Sequence, residues 1–204
     1  MNYMKIIEEQ MKKNGIVTTS FVREEGVPTV YLSRLVEEGV LERVARGIYI
    51  TDNFSYDEWY LFQKQFSVPV YSHMAALYLH QLTDIIVEKR EVTVYTGYNI
   101  HGFKNEGISV HYLKKPLYEL GITEKKTIFG NLVRVYNLER TVCDLIRHRK
   151  EFPSEVFGEA IQRYMNNSEK DLNRLASYGD SFNILPKIQE VIEVLLWIKI
   201  NWLL

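Results

Sequence analysis

VTTSFVREEGVPTVYLSRLVEEGVLERVARGIYI, residues 17–50 of this 204-residue chain, alternates helix-capping and turn residues with short apolar runs. Three hydroxyl residues at its beginning can cap a short helix: Thr18, Thr19 and Ser20. Gly26 can end that helix in the left-handed backbone conformation. A second helix is predicted over residues 28–38, because Pro28 suits the first helical position and Gly39 can end the helix.

Two short runs of β-favouring residues follow the second helix, at residues 41–44 and 48–50. Gly47 lies in the connection between them and can adopt the positive φ that a tight turn requires. A helix, a turn, a second helix and a hairpin, in this order, are typical of a winged helix-turn-helix. A preceding helix over residues 3–14 would complete this first domain.

The second predicted helix has a polar outer face near its start. Its apolar residues recur at three- and four-residue spacing and should face the core: Leu32, Leu35 and Val36. Thr29, Ser33 and Arg34 then lie on the opposite, outer face near the N-terminal end of the helix. That is the end with which a recognition helix contacts base edges. Two further arginines would lie on or beside the hairpin. We therefore predict DNA contacts from six residues: Arg23, Thr29, Ser33, Arg34, Arg43 and Arg46.

Net charge does not mark this stretch as a DNA-binding domain. Residues 1–52 contain seven Lys and Arg against eight Asp and Glu, and the whole chain has a formal net charge of −1. Because phosphate contacts supply much of the affinity for DNA, the arginines would have to be sorted onto one face. The alternative is a winged helix that has a structural role or contacts protein.

A polar break at residues 51–55 marks the predicted boundary between a first domain, 1–52, and a second domain, 53–204. Strands are predicted at residues 92–96 and 108–113, and a hairpin at 127–129 and 132–136. Helices follow at residues 138–149 and 154–165, and capping boxes are predicted for Ser55 with Glu58 and for Ser168 with Asp171. The predicted class is α+β: a winged helix-turn-helix, then a mixed α/β domain with a β-rich middle and a helical C-terminal third.

Positive charge is concentrated in the middle of the second domain. Residues 86–150 contain twelve Lys and Arg against seven Asp and Glu, a net of +5, and Lys114 and Lys115 lie among them. This excess favours a contact surface for nucleic acid or an acidic partner, although a solvated face with no partner explains it as well.

No pattern in the sequence predicts catalysis or a cofactor. His73 and His80 could share a helix face, but no third ligand stands at a zinc-binding spacing, so no metal site is predicted. Ser72, His73 and Asp84 contain the letters of a hydrolase triad, yet a helix cap beside a satisfied histidine is the simpler interpretation. Asp84, Glu88 and Lys89 are better explained as a charged helix end than as nuclease residues. We expect no enzyme.

The ends of the chain and its single cysteine predict a cytoplasmic protein. The N-terminus lacks the regions of a signal peptide, and Cys143 has no partner for an internal disulfide. The apolar stretch 191–204 is too short and too often interrupted by polar residues to span a bilayer. It is interpreted as a core helix or an oligomer contact.

Four segments together resemble the AbiEi family of transcriptional regulators and antitoxins, which belong to type IV toxin–antitoxin systems for abortive infection against phage. They are Arg46-Gly47-Ile48-Tyr49, the helix Ser72-His73-x-Ala75-Ala76-Leu77 with His80-Gln81-Leu82, the strand 91–95, and Val135-Tyr136-Asn137-Leu138-Glu139-Arg140-Thr141-Val142-Cys143-Asp144-Leu145. Gln81 stands where the family commonly has glycine.

The resemblance implies a division of labour between the two domains. The first would bind inverted repeats in the promoter of its own operon and repress it, and the second would counteract a nucleotidyltransferase toxin without a stable complex. Lys114, Lys115, Arg140 and Asp144 are the candidate antitoxin residues, although Arg140 and Asp144 could equally form a structural i,i+4 pair. The competing hypothesis is a protein-interaction module that uses the basic middle segment.

Overall fold

A computed structural model describes residues 2–51, 56–86, 89–103 and 107–201, with the backbone alone for residue 14 and residues 195–201. The chain forms two compact units, Met1–Val68 with Lys126–Val133 and Pro69–Lys125 with Arg134–Leu204. Helices and strands mix in the first part, sheet dominates the middle and helices dominate the end, which confirms the predicted α+β class. The division into domains 1–52 and 53–204 stays a prediction.

The first unit consists of short helices around a three-stranded sheet. Its elements are α1 (Tyr3–Asn14), β1 (Ile16–Thr18), α2 (Thr19–Glu24), α3 (Val30–Glu37), β2 (Glu42–Ala45), β3 (Ile48–Ile50) and α4 (Glu58–Gln65). The strand order is β1-β3-β2 with both neighbours antiparallel. The sheet therefore places β3 between the hairpin partner β2 and the short strand β1.

Local capping and burial explain the helices of this unit. The Thr18 hydroxyl accepts a hydrogen bond from the Phe21 amide at 3.1 Å, which confirms a predicted cap. Leu32 and Leu35 of α3 are buried in a core with residues of α1, β1 and α2. Helix α3 begins at Val30, two residues after the predicted start, and Thr29 at its N-cap position makes no capping hydrogen bond.

Over its described residues, the second unit contains most of a mixed five-stranded sheet and six α-helices. Its elements are β4 (Val70–Tyr71), α5 (His73–Leu79), β5 (Arg90–Tyr95), β6 (Ile108–Leu113), α6 (Lys115–Glu119), α7 (Leu138–Arg147), α8 (Ser154–Asn166), α9 (Leu172–Ser181) and α10 (Leu185–Asn201). The remaining strands, β7 (Ile122–Lys126) and β8 (Leu132–Tyr136), complete the order β6-β5-β4-β8-β7. Strands β5 and β6 are parallel, whereas β4 and β5 are antiparallel.

Helix α7 is the most deeply buried helix of the second unit. All side chains of residues 138–146 are buried, including the charged groups of Glu139, Arg140 and Asp144. Apolar residues of α7 pack with those of α8, α9 and α10 in one continuous core. The helix is therefore surrounded by protein, and its charged residues have to find partners inside the fold.

Three predicted details in the second domain are wrong. The strand before the hairpin turn is β7, not residues 127–129, because the Thr127 amide bonds the Asn131 carbonyl and closes a loop there. Helix α4 begins at Glu58 and is capped by Asp57, which accepts from the Tyr60 amide at 3.1 Å, whereas Ser55, the predicted cap, lies outside the described residues. Asp171 itself, not Ser168, caps α9. In both helices a carboxylate next to the first turn supplies the cap.

Residues 191–201 of the C-terminal apolar stretch form the second half of α10. Ile188 is buried in the core of the second unit, while Val194 is 53% exposed. The side chains beyond Val194, on which the choice between core helix and oligomer contact depends, lie outside the described residues. No helix in the described part of the chain is long and apolar enough to cross a membrane.

Candidate functional site

The predicted recognition face of α3 is exposed. Thr29, Ser33 and Arg34 are all accessible, and Val30 beside them is 66% exposed. The opposite face of the same helix carries Leu32 and Leu35 into the core. Polar groups and one apolar contact at the N-terminal half of a helix form a surface that can meet the base edges of a major groove.

Arg34 is held by an acidic residue of its own helix. Its Nε donates to Glu38 Oε1 at 2.8 Å across one helical turn, and both side chains are exposed. The hydrogen bond to Glu38 raises the pKa of Arg34 above its ordinary value, so the guanidinium is charged. A DNA phosphate or base would therefore have to compete with the Glu38 carboxylate for this arginine.

The β2–β3 hairpin presents two more of the predicted arginines. Arg43 and Arg46 are exposed, and Arg43 Nε donates to the Ala45 carbonyl at 3.4 Å. Gly47 closes the turn with φ of 74°, and its carbonyl accepts from the Thr19 amide at 2.8 Å. This bond ties the turn to the start of α2, whose Arg23 is also exposed. The structure thus exposes all six predicted DNA-contact residues.

Arg140 is fully buried, and its Nε and Nη1 are hydrogen-bonded, whereas its Nη2 has no hydrogen-bond partner among the described residues. Its Nε donates to Asp144 Oδ2 at 3.0 Å, and its Nη1 donates to the carbonyls of Leu117 and Leu120 at 2.7 and 2.8 Å. The guanidinium also lies 4.1 Å from the ring centre of Tyr136. A cation with this many buried contacts holds neighbouring elements together and is shielded from any protein partner.

The two lysines lie on the helix that Arg140 anchors. Lys114 and Lys115 are exposed at the start of α6, and Lys115 is 3.9 Å from Glu119. The carbonyls that Arg140 binds belong to Leu117 in α6 and to Leu120 directly after it. The four candidate antitoxin residues therefore form two groups: a buried pair that fixes α6 and an exposed pair that α6 presents.

Asp84 is engaged by an arginine and is exposed. Arg163 of α8 donates two hydrogen bonds to its carboxylate, and this contact lowers the pKa of Asp84. A carboxylate bound to a guanidinium is a poor ligand for a catalytic cation. Glu88, the other acidic residue considered for a nuclease, lies outside the described residues.

A cluster that the sequence did not predict lies where α5, β5 and β6 meet. His73 at the start of α5 stacks on His111 of β6, with ring centres 3.6 Å apart. His111 Nε2 is 2.7 Å from Glu91 Oε2 of β5. The ligand atoms of these three residues all lie within 4.8 Å of one another. Parallel pairing of β5 with β6 brings together residues twenty positions apart.

His73 is the buried member of this cluster. Burial, followed by the neighbouring histidines, holds its pKa well below the ordinary value, so the ring is neutral. Its Nδ1 lies 3.0 Å from the Ser72 hydroxyl, and Thr93 donates to the same hydroxyl at 2.9 Å. Ser72 occupies the N-cap position of α5 without a side-chain capping bond, so the prediction that this hydroxyl caps the helix is wrong.

His80 does not join the cluster. Its Nε2 is 2.7 Å from the Tyr136 carbonyl oxygen, and burial lowers its pKa to about 4. His73 and His80 therefore do not contribute to one common cluster, although their spacing could place them on one helix face. The spacing of histidines along one helix could not predict the cluster, because its members belong to three separate elements, α5, β5 and β6.

A groove lined by apolar and charged residues lies elsewhere in the second unit. It has a volume of about 700 Å³, and its apolar lining includes Ile146, Phe157 and Val191. Arg149 and Lys150 stand among its lining residues. Such a groove can accept an apolar segment that carries negative charge.

Comparisons with known proteins agree with the fold and with the resemblance. A search of curated proteins gives no significant match. The crystal structure of the RV2827C protein from Mycobacterium tuberculosis is similar with a TM-score of 0.55, at 9% sequence identity, over 92% of this chain and 77% of that one. At this identity the likeness concerns the fold alone. Residues 4–51 match the model of a family described as "Transcriptional regulator, AbiEi antitoxin", the family that the sequence resembles.

Proposed function

We propose that this chain is the antitoxin of a type IV toxin–antitoxin system for phage defence, and that it represses its own operon. In this proposal residues 1–52 bind inverted repeats in the promoter as a winged helix-turn-helix, and residues 53–204 counteract a nucleotidyltransferase toxin. The observation that carries the proposal is that the stretch matching a family of transcriptional regulators contains the exposed polar face of α3 and the arginine-bearing hairpin.

The geometry of the first unit supports the DNA-binding half. Thr29, Ser33 and Arg34 lie at the N-terminal half of an exposed helix face, which enters the major groove in proteins of this kind. Arg43 and Arg46 on the β2–β3 hairpin would then contact the flanking phosphates or the minor groove. The bond between Thr19 and Gly47 ties the hairpin to the start of α2, and Leu32 and Leu35 of α3 share one core with Val22 of α2.

The nearly equal numbers of acidic and basic residues in this unit predict how its affinity for DNA depends on salt. Because acidic and basic residues are equal in number to within one over residues 1–52, few phosphates are neutralised. The binding constant should fall with a shallow slope on salt, set by about three or four phosphate contacts. Inverted repeats and two copies of the chain would double that slope.

The second unit supports the antitoxin half through α6. Arg140 and Asp144 fix this helix from inside, and Lys114 and Lys115 stand on its surface. An exposed lysine pair on an anchored helix can act on an acidic partner without forming a large interface. This arrangement suits neutralisation without a stable complex.

The test of the DNA-binding half uses matched charge removals in the full chain. Arg34→Ala and Arg46→Ala should each weaken binding to the upstream duplex by roughly tenfold, the effect of about 1–2 kcal/mol per contact. Lys5→Ala is the control, because Lys5 is exposed and forms the same kind of i,i+4 pair, with Glu9 of α1. Equal losses in all three variants would contradict the proposed interface.

The test of the antitoxin half is growth rescue when the neighbouring toxin gene is expressed. Arg34→Ala should still rescue growth, because it lies outside the second domain. A double change of Lys114 and Lys115 to Ala should reduce rescue, while Lys126→Ala, an exposed lysine on β7, should not. If the double variant rescues growth as well as the parent does, Lys114 and Lys115 do not take part in neutralising the toxin.

A protein-interaction module is the second candidate function, and one observation favours it. The groove that includes Phe157 is lined by apolar residues together with Arg149 and Lys150. If the upstream duplex and a scrambled duplex bind equally weakly, this groove is where a partner should be mapped, by crosslinking from a Lys150→Cys variant.

A further inference from the structure

We propose that His73, Glu91 and His111 form a binding site for a divalent cation of the zinc class. Each residue offers one ligand atom, and the three atoms lie within 4.8 Å of one another. The site is independent of the DNA-binding face, because all three residues belong to the second unit. The inference therefore stands or falls separately from the proposed function.

His73 carries a ring nitrogen that is buried and has no hydrogen-bond partner among the described residues. His73 is 2% exposed, and its Nε2 has no hydrogen-bond partner in the part of the chain that the structure describes. Buried polar atoms are nearly always satisfied, so an exception of this kind calls for an unseen partner. A neutral imidazole nitrogen with a lone pair is the commonest ligand for zinc.

The other ring nitrogen of His73, Nδ1, lies within hydrogen-bond distance of a hydroxyl group. His73 Nδ1 lies 3.0 Å from Ser72 Oγ, and Thr93 donates to the same hydroxyl from β5. Metal-binding histidines usually donate their other ring N–H to such a partner, which fixes the tautomer and leaves the opposite nitrogen as the ligand atom. Ser72 serves His73 in this way rather than capping α5.

Glu91 and His111 supply the two other ligand atoms of the proposed site. One oxygen of the Glu91 carboxylate accepts from the Met74 amide at 3.4 Å, and the other lies 2.7 Å from His111 Nε2. A cation would take the place of the proton between carboxylate and imidazole. The side chains of His111 and Glu91 are 24% and 21% exposed, so solvent reaches the site and an ion can enter.

His148 is excluded as a fourth protein ligand. Its Nε2 accepts from Arg147 Nε at 2.9 Å, and its Nδ1 lies 2.7 Å from Glu151. Both ring nitrogens are therefore engaged, although the ring packs edge-on to His73 at 5.0 Å. The proposed site has three protein ligands and leaves the remaining coordination position to water.

Two nitrogens and one carboxylate oxygen define the ion class. Magnesium and calcium prefer oxygen ligands, whereas imidazole favours zinc, cobalt and nickel. Bond lengths of about 2.0–2.2 Å place tetrahedral ligand atoms roughly 3.4 Å apart, so the cluster contracts on binding. The stacked rings of His73 and His111, 13° from parallel, cannot direct lone pairs to one point. Binding therefore turns the His111 ring out of the stack.

The experiment is a Co²⁺ titration of the untagged full-length chain after treatment with a chelator. We expect one Co²⁺ per chain, visible absorption typical of four-coordinate cobalt, and displacement by Zn²⁺ but not by an excess of Mg²⁺. No thiolate charge-transfer band should appear, because Cys143 is buried away from solvent and outside the ligand set. Binding should also shift the histidine ring signals of His73 and His111 in NMR spectra.

Three variants decide the assignment. Glu91→Gln and His111→Gln should each lower cobalt affinity at least tenfold, and both side chains are exposed enough for the fold to tolerate the change. His101→Gln is the control, because His101 is an exposed histidine outside the cluster. Absence of the absorption in the parent chain overturns the proposal. Parental affinity in both Glu91→Gln and His111→Gln overturns it as well, since the ion would then lie elsewhere.

Discussion

Replacing Arg140 by methionine should destabilise the second unit by about 3–5 kcal/mol. The Arg140 side chain is fully buried, and its Nε and Nη1 donate to Asp144 and to the carbonyls of Leu117 and Leu120. Methionine fills much of the volume but donates nothing. The variant leaves the Asp144 carboxylate buried beside no nearer cation than Arg147, at 3.7 Å. Breaking one side of a buried ion pair costs about 3–5 kcal/mol.

A second variant separates the charge from the packing. Arg140→Met with Asp144→Leu removes both charges, so no uncompensated carboxylate remains. The double variant should recover about 1–3 kcal/mol relative to the single variant. It should remain less stable than the parent, because the carbonyls of Leu117 and Leu120 still lose their donor.

Urea unfolding followed by far-UV circular dichroism measures these differences, and hydrogen exchange locates them. Amides of α6 and α7 should lose protection in Arg140→Met. Lys5→Met is the control, because Lys5 pairs with Glu9 at 3.9 Å while the two side chains are 71% and 67% exposed, and its loss should cost less than about 1 kcal/mol. If Arg140→Met costs no more than this control and yet abolishes toxin neutralisation, the structural role argued for Arg140 is wrong.

Two further changes test the environment of single residues. Because burial lowers the pKa of His80 from 6.5 to about 4, the unfolded chain binds one more proton between these values. Stability should therefore fall by up to about 3 kcal/mol as pH drops from 6.5 to 4, and urea midpoints of His80→Gln should show a shallower fall; equal slopes would refute this. Gly47→Ala should lower the melting temperature more than Gly26→Ala. Both glycines have φ near 70°, but only at Gly47 does an added Cβ meet an atom, Thr19 Oγ1 at 2.9 Å; equal shifts would show that this contact relaxes freely.

Local signals made the first unit predictable. Hydroxyl caps, Pro28, and glycines at the turns act within a few residues, and Gly26, Gly39 and Gly47 all adopt positive φ. The exposed face of α3 followed from helical periodicity alone. The short strands β1 and β4 were missed, because two or three residues carry no periodic pattern and pair only when the rest of the sheet exists.

The interior of the second unit could be predicted from the sequence only in part. Helix α7 is buried on all sides, and no periodic pattern reveals that Arg140 has its acceptors in a segment about twenty residues earlier. The histidine cluster depends on the register of β5 and β6, which places Thr93 beside His111. Register is set by the whole sheet, so the spacing of histidines along the chain gave no indication of it.

One titration decides whether the first unit binds DNA with sequence preference. Fluorescence anisotropy should be measured with the full chain against the duplex immediately upstream of its gene and against a scrambled duplex, at two salt concentrations. The account predicts saturable binding that prefers the upstream duplex and weakens as salt rises. Equal, weak binding to both duplexes would contradict it and would make the exposed face of α3 a structural or protein-contact surface.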